Sequence, residues 1–80
     1  MKVLQIHMLQ ENLNLESMLE KKVRAKKKLL GSIEAKSDSF ILVVSPSGLK
    51  YNIPRSHINR RIGNEFILDM SLEQTQRYRV

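Results

Sequence analysis

Residues 31–44 read Gly-Ser-Ile-Glu-Ala-Lys-Ser-Asp-Ser-Phe-Ile-Leu-Val-Val, a pattern that predicts strand, turn and strand. The second half, Phe40 to Val44, is apolar and rich in the β-branched residues that favour buried strands. Glycine inside such a pattern is typical of a bend or bulge, which a small barrel needs in order to close. The segment therefore predicts a strongly bent antiparallel sheet or a small barrel.

The residues after Val44 extend this prediction. Ser45-Pro-Ser-Gly48 predicts a turn, and 49–53 alternate as a strand that Pro54 ends or confines to the edge of the sheet. Residues 56–62 predict a short helical turn and residues 65–70 a last strand. Ser71-Leu-Glu-Gln74 has the pattern of a capping box, which predicts a short C-terminal helix.

The residues before Gly31 predict a helix. Leu15, Met18, Leu19 and Val23 recur at helical spacing, and lysines near the end would complement the helix dipole. We expect this helix to run from residue 14 to between 24 and 30, with a strand over 23–30 as the alternative. The expected fold class is α+β, in which an N-terminal helix packs on the bent sheet and a short C-terminal helix follows it.

Length and composition limit the chemistry. Eighty residues predict one small domain over 1–80 with a modest core, so self-association is an available source of stability. The chain has no cysteine and two histidines outside any metal-ligand spacing, so we expect no metal and no cofactor. No apolar run reaches the length of a membrane span and no signal-peptide pattern opens the chain, so we expect no membrane partner and a cytoplasmic location.

Positive charge is concentrated in the middle of the chain. Residues 21–61 carry eleven Lys and Arg against two acidic residues, while the remainder has a net charge of −3. We expect these cations to form one continuous surface for a polyanion, RNA before DNA, although a solvated helix face is the alternative for the run 21–28. The candidate binding residues are cations, one histidine and two aromatic residues that could stack on bases: Lys21, Lys22, Arg24, Lys26, Lys27, Lys28, Phe40, Lys50, Tyr51, Arg55, His57, Arg60 and Arg61.

Several segments resemble Hfq, the bacterial Sm-like RNA chaperone. Its N-terminal helix resembles Leu9-Gln10-Glu11, Leu15, Met18 and Lys21-Lys22-Val23, and its later strands resemble Gly31-Ser-Ile33-Glu34, Asp38-Ser-Phe40-Ile-Leu and Ile53-Pro-Arg55-Ser-His-Ile58. The resemblance implies a ring-forming barrel, with Gln10, Phe40 and Arg55 facing uridine-rich RNA and Lys21 and Lys22 on a basic rim. In the family, a Tyr-Lys-His triplet occupies the place of Pro54-Arg55-Ser56.

Two further resemblances place the chain among small RNA-binding barrels. Gly31-Ser-Ile-Glu-Ala35 and Gly63–Ser71 are similar to the bacterial initiation factor built from one OB domain, and Ile53–Ile62 is similar to the end of the CsrA translational regulators. The expected sheet is thus Sm-, SH3- or OB-like. All three resemblances imply RNA binding. Because small basic barrels share this bias in general, the agreement counts as one observation and not as three.

The expected function is non-enzymatic RNA binding by a post-transcriptional or translational regulator, and the expected protein partner is a second copy of the chain in a homo-oligomer. The alternative is a small protein-interaction module, such as an inhibitor or an antitoxin-like partner. A third hypothesis is a ribonuclease toxin, which would need His57, Arg60 and an acid to converge. No glycine-rich phosphate loop, nucleophile elbow or paired histidine–carboxylate motif accompanies these residues, which favours the non-enzymatic hypotheses.

Overall fold

The structure, a computed structural model, describes residues 18–80. Within these residues, six strands form one mixed sheet with the order β4-β3-β2-β1-β6-β5, which does not close into a barrel. The strands are β1 (Lys22–Ala25), β2 (Lys28–Lys36), β3 (Phe40–Val44), β4 (Lys50–Pro54), β5 (Ile58–Ile62) and β6 (Glu65–Leu68). One short helix, α1 (Leu72–Thr75), follows the sheet, and two 3-10 turns span Arg55–His57 and Gln76–Tyr78.

The bend or bulge predicted at Gly31 corresponds to a register irregularity in β2, where Val23 pairs with Gly31 and Arg24 pairs with Leu29. The first half of β2 pairs with β1 and the second half pairs with β3, so this one strand joins two parts of the sheet. A Cβ atom at Gly31 would lie 2.1 Å from the carbonyl oxygen of Val44, closer than any real contact. Glycine is therefore required here because the backbone of β3 occupies the space of a side chain.

The helix predicted from residue 14 to between 24 and 30 is wrong over the described residues 18–30. Residues 18–20 form a turn, and residues 22–30 form β1, a two-residue turn and the start of β2, so the strand predicted as the alternative over 23–30 occurs but is divided by a turn; residues 14–17 lie outside the described residues. β1 pairs with both β2 and β6, which buries Val23 and Ala25 on one face. Pairing on two sides and burial in the core outweigh the local helical spacing, which is a weak signal.

Downstream, most predicted elements are confirmed. β3, the Ser45–Gly48 turn, β4, β6 and the C-terminal helix occur where the sequence indicated. The capping box forms: the Ser71 hydroxyl accepts from the Gln74 amide at 3.2 Å, and the Gln74 side chain accepts from the Ser71 amide at 2.8 Å. Residues 56–62 differ, because only the 3-10 turn ending at His57 is helical and β5 follows it directly.

The predicted antiparallel sheet is correct except at one junction. β1 and β6 run parallel, with Val23 beside Phe66 and Ala25 beside Leu68, while every other neighbouring pair is antiparallel. The inward residues of these strands form one apolar core. Outward residues alternate with them and supply the surfaces on which a partner could bind.

Candidate nucleic-acid interface

The most basic point of the structure is the tight turn between β1 and β2. We call Lys26, Lys27 and Lys28 the lysine turn; all three side chains are exposed, and no acidic residue within 18–80 forms an ion pair with them. The lysine turn borders an open groove of about 400 Å³, whose other lining residues are Ala25, Ser71, Leu72 and Glu73. Three adjacent ammonium groups at a protruding turn can approach several phosphates at once.

Arg24 holds the lysine turn in place and is itself engaged. Its guanidinium donates to the carbonyl oxygen of Lys27 at 3.2 Å and to the Glu65 carboxylate at 2.6 Å, linking β1 to β6. The hydrogen bond from Arg24 lowers the pKa of the Glu65 carboxyl, against the opposing effect of its burial, and raises the pKa of Arg24. Arg24 therefore acts as an anchor beside the lysine turn, and its charge is largely balanced.

The outer face of β1, β6 and β5 combines cations with aliphatic residues. The strand register places Leu29, Arg24, Ile67 and Arg60 in one row across four strands, with Arg24 and Arg60 about 10 Å apart at ordinary strand spacing. Arg60 is exposed and forms no ion pair within the described chain. The sequence analysis missed the aliphatic members of this row, since their outward orientation depends on the register.

A second cationic group lies at the other end of β2, around the β2–β3 turn. Phe40 is 40% exposed, and it lines a shallow groove of about 180 Å³ together with Lys36, Ser37 and Asn52. The Arg55 guanidinium donates to the Ser37 carbonyl oxygen at 2.9 Å, so it is fixed next to this turn. An exposed aromatic ring beside two cations is suited to a stacked base with a phosphate on either side.

The predicted cations do not form the single continuous surface that the sequence indicated. The lysine turn and the group around Phe40 lie at opposite ends of β2, separated by eight residues of strand or a contour of about 26 Å. Lys50 lies apart from both and forms an ion pair with Glu34 at 3.5 Å. The structure thus divides the basic residues into separate groups, and only the lysine turn is densely charged.

One of the predicted contacts, Tyr51, does not fit the structure, and another, Gln10, is not tested by it. Tyr51 is 3% exposed in the core, and its hydroxyl accepts from the Gln76 side chain at 3.3 Å, so its ring has no free face for a base. The prediction that Tyr51 stacks on a base is therefore wrong. The register of β4 places Tyr51 on the inward face of the strand, together with Ile53. Gln10 lies outside the described residues.

His57 joins three elements. Its Nδ1 lies 2.9 Å from the Asp69 carboxylate and its Nε2 lies 3.3 Å from the Tyr78 hydroxyl, which ties the first 3-10 turn to the end of β6 and to the C-terminal turn. The His57 and Asp69 pairing supplies part of the convergence that a ribonuclease would need. Both ring nitrogens, however, already have partners, as expected of a residue that holds the fold together.

The remaining predicted residues lie at the turn between β5 and β6 or near it. The Lys21 ammonium donates to the Asn64 side chain at 3.2 Å, and Lys22 is exposed on the outer face beside Glu65. The Arg61 guanidinium lies 5.5 Å from the centre of the Phe66 ring and donates to the Gly63 carbonyl oxygen. These cations form a looser group at the end of β1 opposite the lysine turn.

Within residues 18–80 there is no group of three His, Cys, Asp or Glu side chains that could hold a metal ion. In the same part of the chain, no helix has the length and apolar character needed to cross a membrane. Comparison of the chain with protein-family models, curated protein sequences and solved structures finds no match.

Proposed function

We propose that this protein binds single-stranded RNA, with the lysine turn as its main phosphate contact, and acts as a non-enzymatic regulator. The observation that carries the proposal is the lysine turn itself: three consecutive exposed ammonium groups on a rigid hairpin, without an ion-pair partner among residues 18–80. A fixed arrangement of cations loses less conformational freedom on binding than the same cations on a flexible segment.

Charge supports a polyanion as the partner. Residues 18–80 contain thirteen Lys and Arg against six Asp and Glu, and three of those acids pair with Arg24, Lys50 and His57. The excess of unpaired positive charge attracts a phosphate backbone and accelerates its association. Exposed Phe40 favours a single strand with accessible bases over a duplex, because a stacked duplex offers no free base face.

The experiment is the salt dependence of RNA binding. Each phosphate contact on a single strand contributes about 0.7 to the slope of log K against log salt, so Lys26→Gln, Lys27→Gln and Lys28→Gln together should reduce that slope by about 2. The measurement is fluorescence anisotropy with labelled single-stranded RNA over a range of KCl concentrations.

The matched control removes charge elsewhere. Arg77→Gln with Arg79→Gln takes two cations from the exposed C-terminal residues, and the slope should change by much less than in a Lys26→Gln, Lys27→Gln double variant. An unchanged slope in the triple lysine variant, or an equal change in the control, would refute the lysine turn as the site. Binding of duplex RNA in preference to single-stranded RNA would refute the role of Phe40.

A further inference from the structure

The sheet has two edges, and they differ. At the β4 edge, the C-terminal residues cover part of the strand: Arg79 forms a bridge with Tyr51, and the Val80 amide donates to the Lys50 carbonyl oxygen at 3.0 Å. At the other edge, β5 pairs with β6 on one side only, and no strand or bridge within residues 18–80 occupies its free side. Among residues 18–80, the backbone donors and acceptors on the free side of β5 therefore have no strand to pair with.

The side chains of β5 give this edge a distinct chemistry. Its sequence is Ile58-Asn-Arg-Arg-Ile62, and all five residues are exposed or half-exposed. Arg60 belongs to the outer-face row, Arg61 is held over the Phe66 ring, and neither forms an ion pair with an acid in the described chain. Ile62 is 52% exposed, which makes it the most exposed aliphatic residue of any strand here.

These features select one occupant. A second copy of this chain would set β5 against β5 and bring arginines close to arginines, and like charges at facing positions destabilise a strand pair. A nucleic acid would find no aromatic ring on β5, and the edge carbonyl groups would repel its phosphates. An extended polypeptide uses both backbone donors and acceptors, and carboxylates on it would neutralise Arg60 and Arg61.

We propose that β5 is a docking edge for an extended segment of a protein partner with acidic residues opposite Arg60 and Arg61 and an aliphatic residue opposite Ile62, since Arg60 and Ile62 share the outer face of β5. The segment adds to the sheet as a seventh strand, with a carboxylate facing Arg60 and an aliphatic side chain covering Ile62. Of the positions that contact it, Ile62 lies at the Glu65 end of β6, whereas Arg60 lies opposite Ile67, one residue from the Leu68 end where the lysine turn lies. The two proposed sites use different residues, so each can fail without the other.

The probe is a short capped Asp/Val peptide that contains Val-Asp-Asp, so that in an antiparallel pair Val lies opposite Ile62 and the two Asp residues lie opposite Arg61 and Arg60; it is titrated into the full chain by calorimetry. We expect saturable binding, with slowed hydrogen exchange at the backbone amides of β5, which direct contact by a new strand produces. The same peptide with Lys in place of Asp should not bind, because it meets Arg60 and Arg61 with like charge.

The test variant is Arg60→Glu with Ile62→Thr, which keeps β-forming residues at an exposed edge. Losing the burial of one aliphatic side chain together with an ion pair should lower the affinity for the Asp/Val peptide by about tenfold or more. The control, Arg77→Glu with Leu49→Thr, makes the same chemical changes at exposed positions outside β5 and should bind as the original chain does.

Three results would overturn the proposal. One is binding of the peptide without slowed exchange at β5; another is full affinity in the β5 variant. The third is loss of RNA binding in the β5 variant while the triple lysine variant retains it, which would assign this edge to nucleic acid. If the double variant does not fold, Ile62→Thr alone answers the question, since it removes the aliphatic contact at a half-exposed position and preserves all charges.

Discussion

Replacing Gly31 by alanine tests the close approach of the β3 backbone to β2 at this position. The added methyl group would lie 2.1 Å from the Val44 carbonyl oxygen and 2.6 Å from its carbonyl carbon, and both atoms belong to the backbone. Because a backbone cannot rotate out of the way as a side chain can, β2 and β3 must separate where Ser32 pairs with Val44. We expect the free energy of unfolding to fall by about 3 kcal/mol or more, at or beyond the upper end of overpacking costs.

The magnitude matters because a domain of this size has little stability to lose. At about 0.1 kcal/mol per residue, an 80-residue chain has on the order of 8 kcal/mol, so Gly31→Ala should remove a third or more. The assay is urea denaturation followed by circular dichroism, with the midpoint and the slope both fitted.

Gly63→Ala is the matched control. Gly63 has a positive φ of 58°, but an added Cβ would meet no atom within 4 Å. Gly63→Ala should therefore lower the free energy of unfolding only by the cost of holding alanine at a positive φ, about 1–2 kcal/mol. We expect Gly31→Ala to destabilise clearly more than Gly63→Ala. Equal effects at the two positions would refute the close approach of β3 as the reason for a glycine at position 31.

Two further predictions concern the hairpin and its anchor. Lys26 has a φ of 58°, so Lys26→Gly should stabilise the protein by about 0.5–1 kcal/mol and raise its melting temperature by several degrees. Lys27 has an ordinary φ, so Lys27→Gly should lower the melting temperature. A fall in the melting temperature of both variants would contradict this reasoning. The lowered pKa of Glu65 means that its contribution to stability is present above the ordinary value of 4.5 and is lost as the pH falls from there through the lowered pKa. The Glu65→Gln variant should therefore be less stable at neutral pH, and its free energy of unfolding should fall less steeply as the pH is lowered. The measurement is urea denaturation across this pH range. An unchanged pH dependence would contradict the link to Arg24.

Local sequence chemistry was sufficient for several elements. Ser71-Leu-Glu-Gln74 specifies its own capping box because all four groups that bond lie within one turn of the chain. The Ser45–Gly48 turn is equally local: Gly48 has a φ of 92°, a conformation that favours glycine, and its amide donates to the Ser45 carbonyl oxygen. Such elements can be predicted because the interactions that form them are short in sequence.

The candidate site was less predictable, since exposure depends on register. Tyr51 and Lys50 are neighbours in an alternating strand, and only pairing with β3 determines that Tyr51 faces the core while Lys50 faces solvent. The outer-face row also depends on register. Strand pairing places Arg60 beside Ile67 and Ile67 beside Arg24, although Arg24 is far from the other two in sequence. Composition indicated a basic protein, but it did not indicate which cations are adjacent.

The amino-acid pattern alone determined the concentration of charge between residues 21 and 61, the irregularity at Gly31 and the strands from β3 to β4, because these follow from residue type and close neighbours. Tertiary pairing decided that residues 22–30 form a β hairpin and that β1 lies parallel to β6, which places β5 at an edge of the sheet formed by residues 18–80. The physical reason is that β pairing joins residues about forty positions apart, such as Val23 and Phe66, and the energy of those contacts outweighs the helical preference of the local sequence.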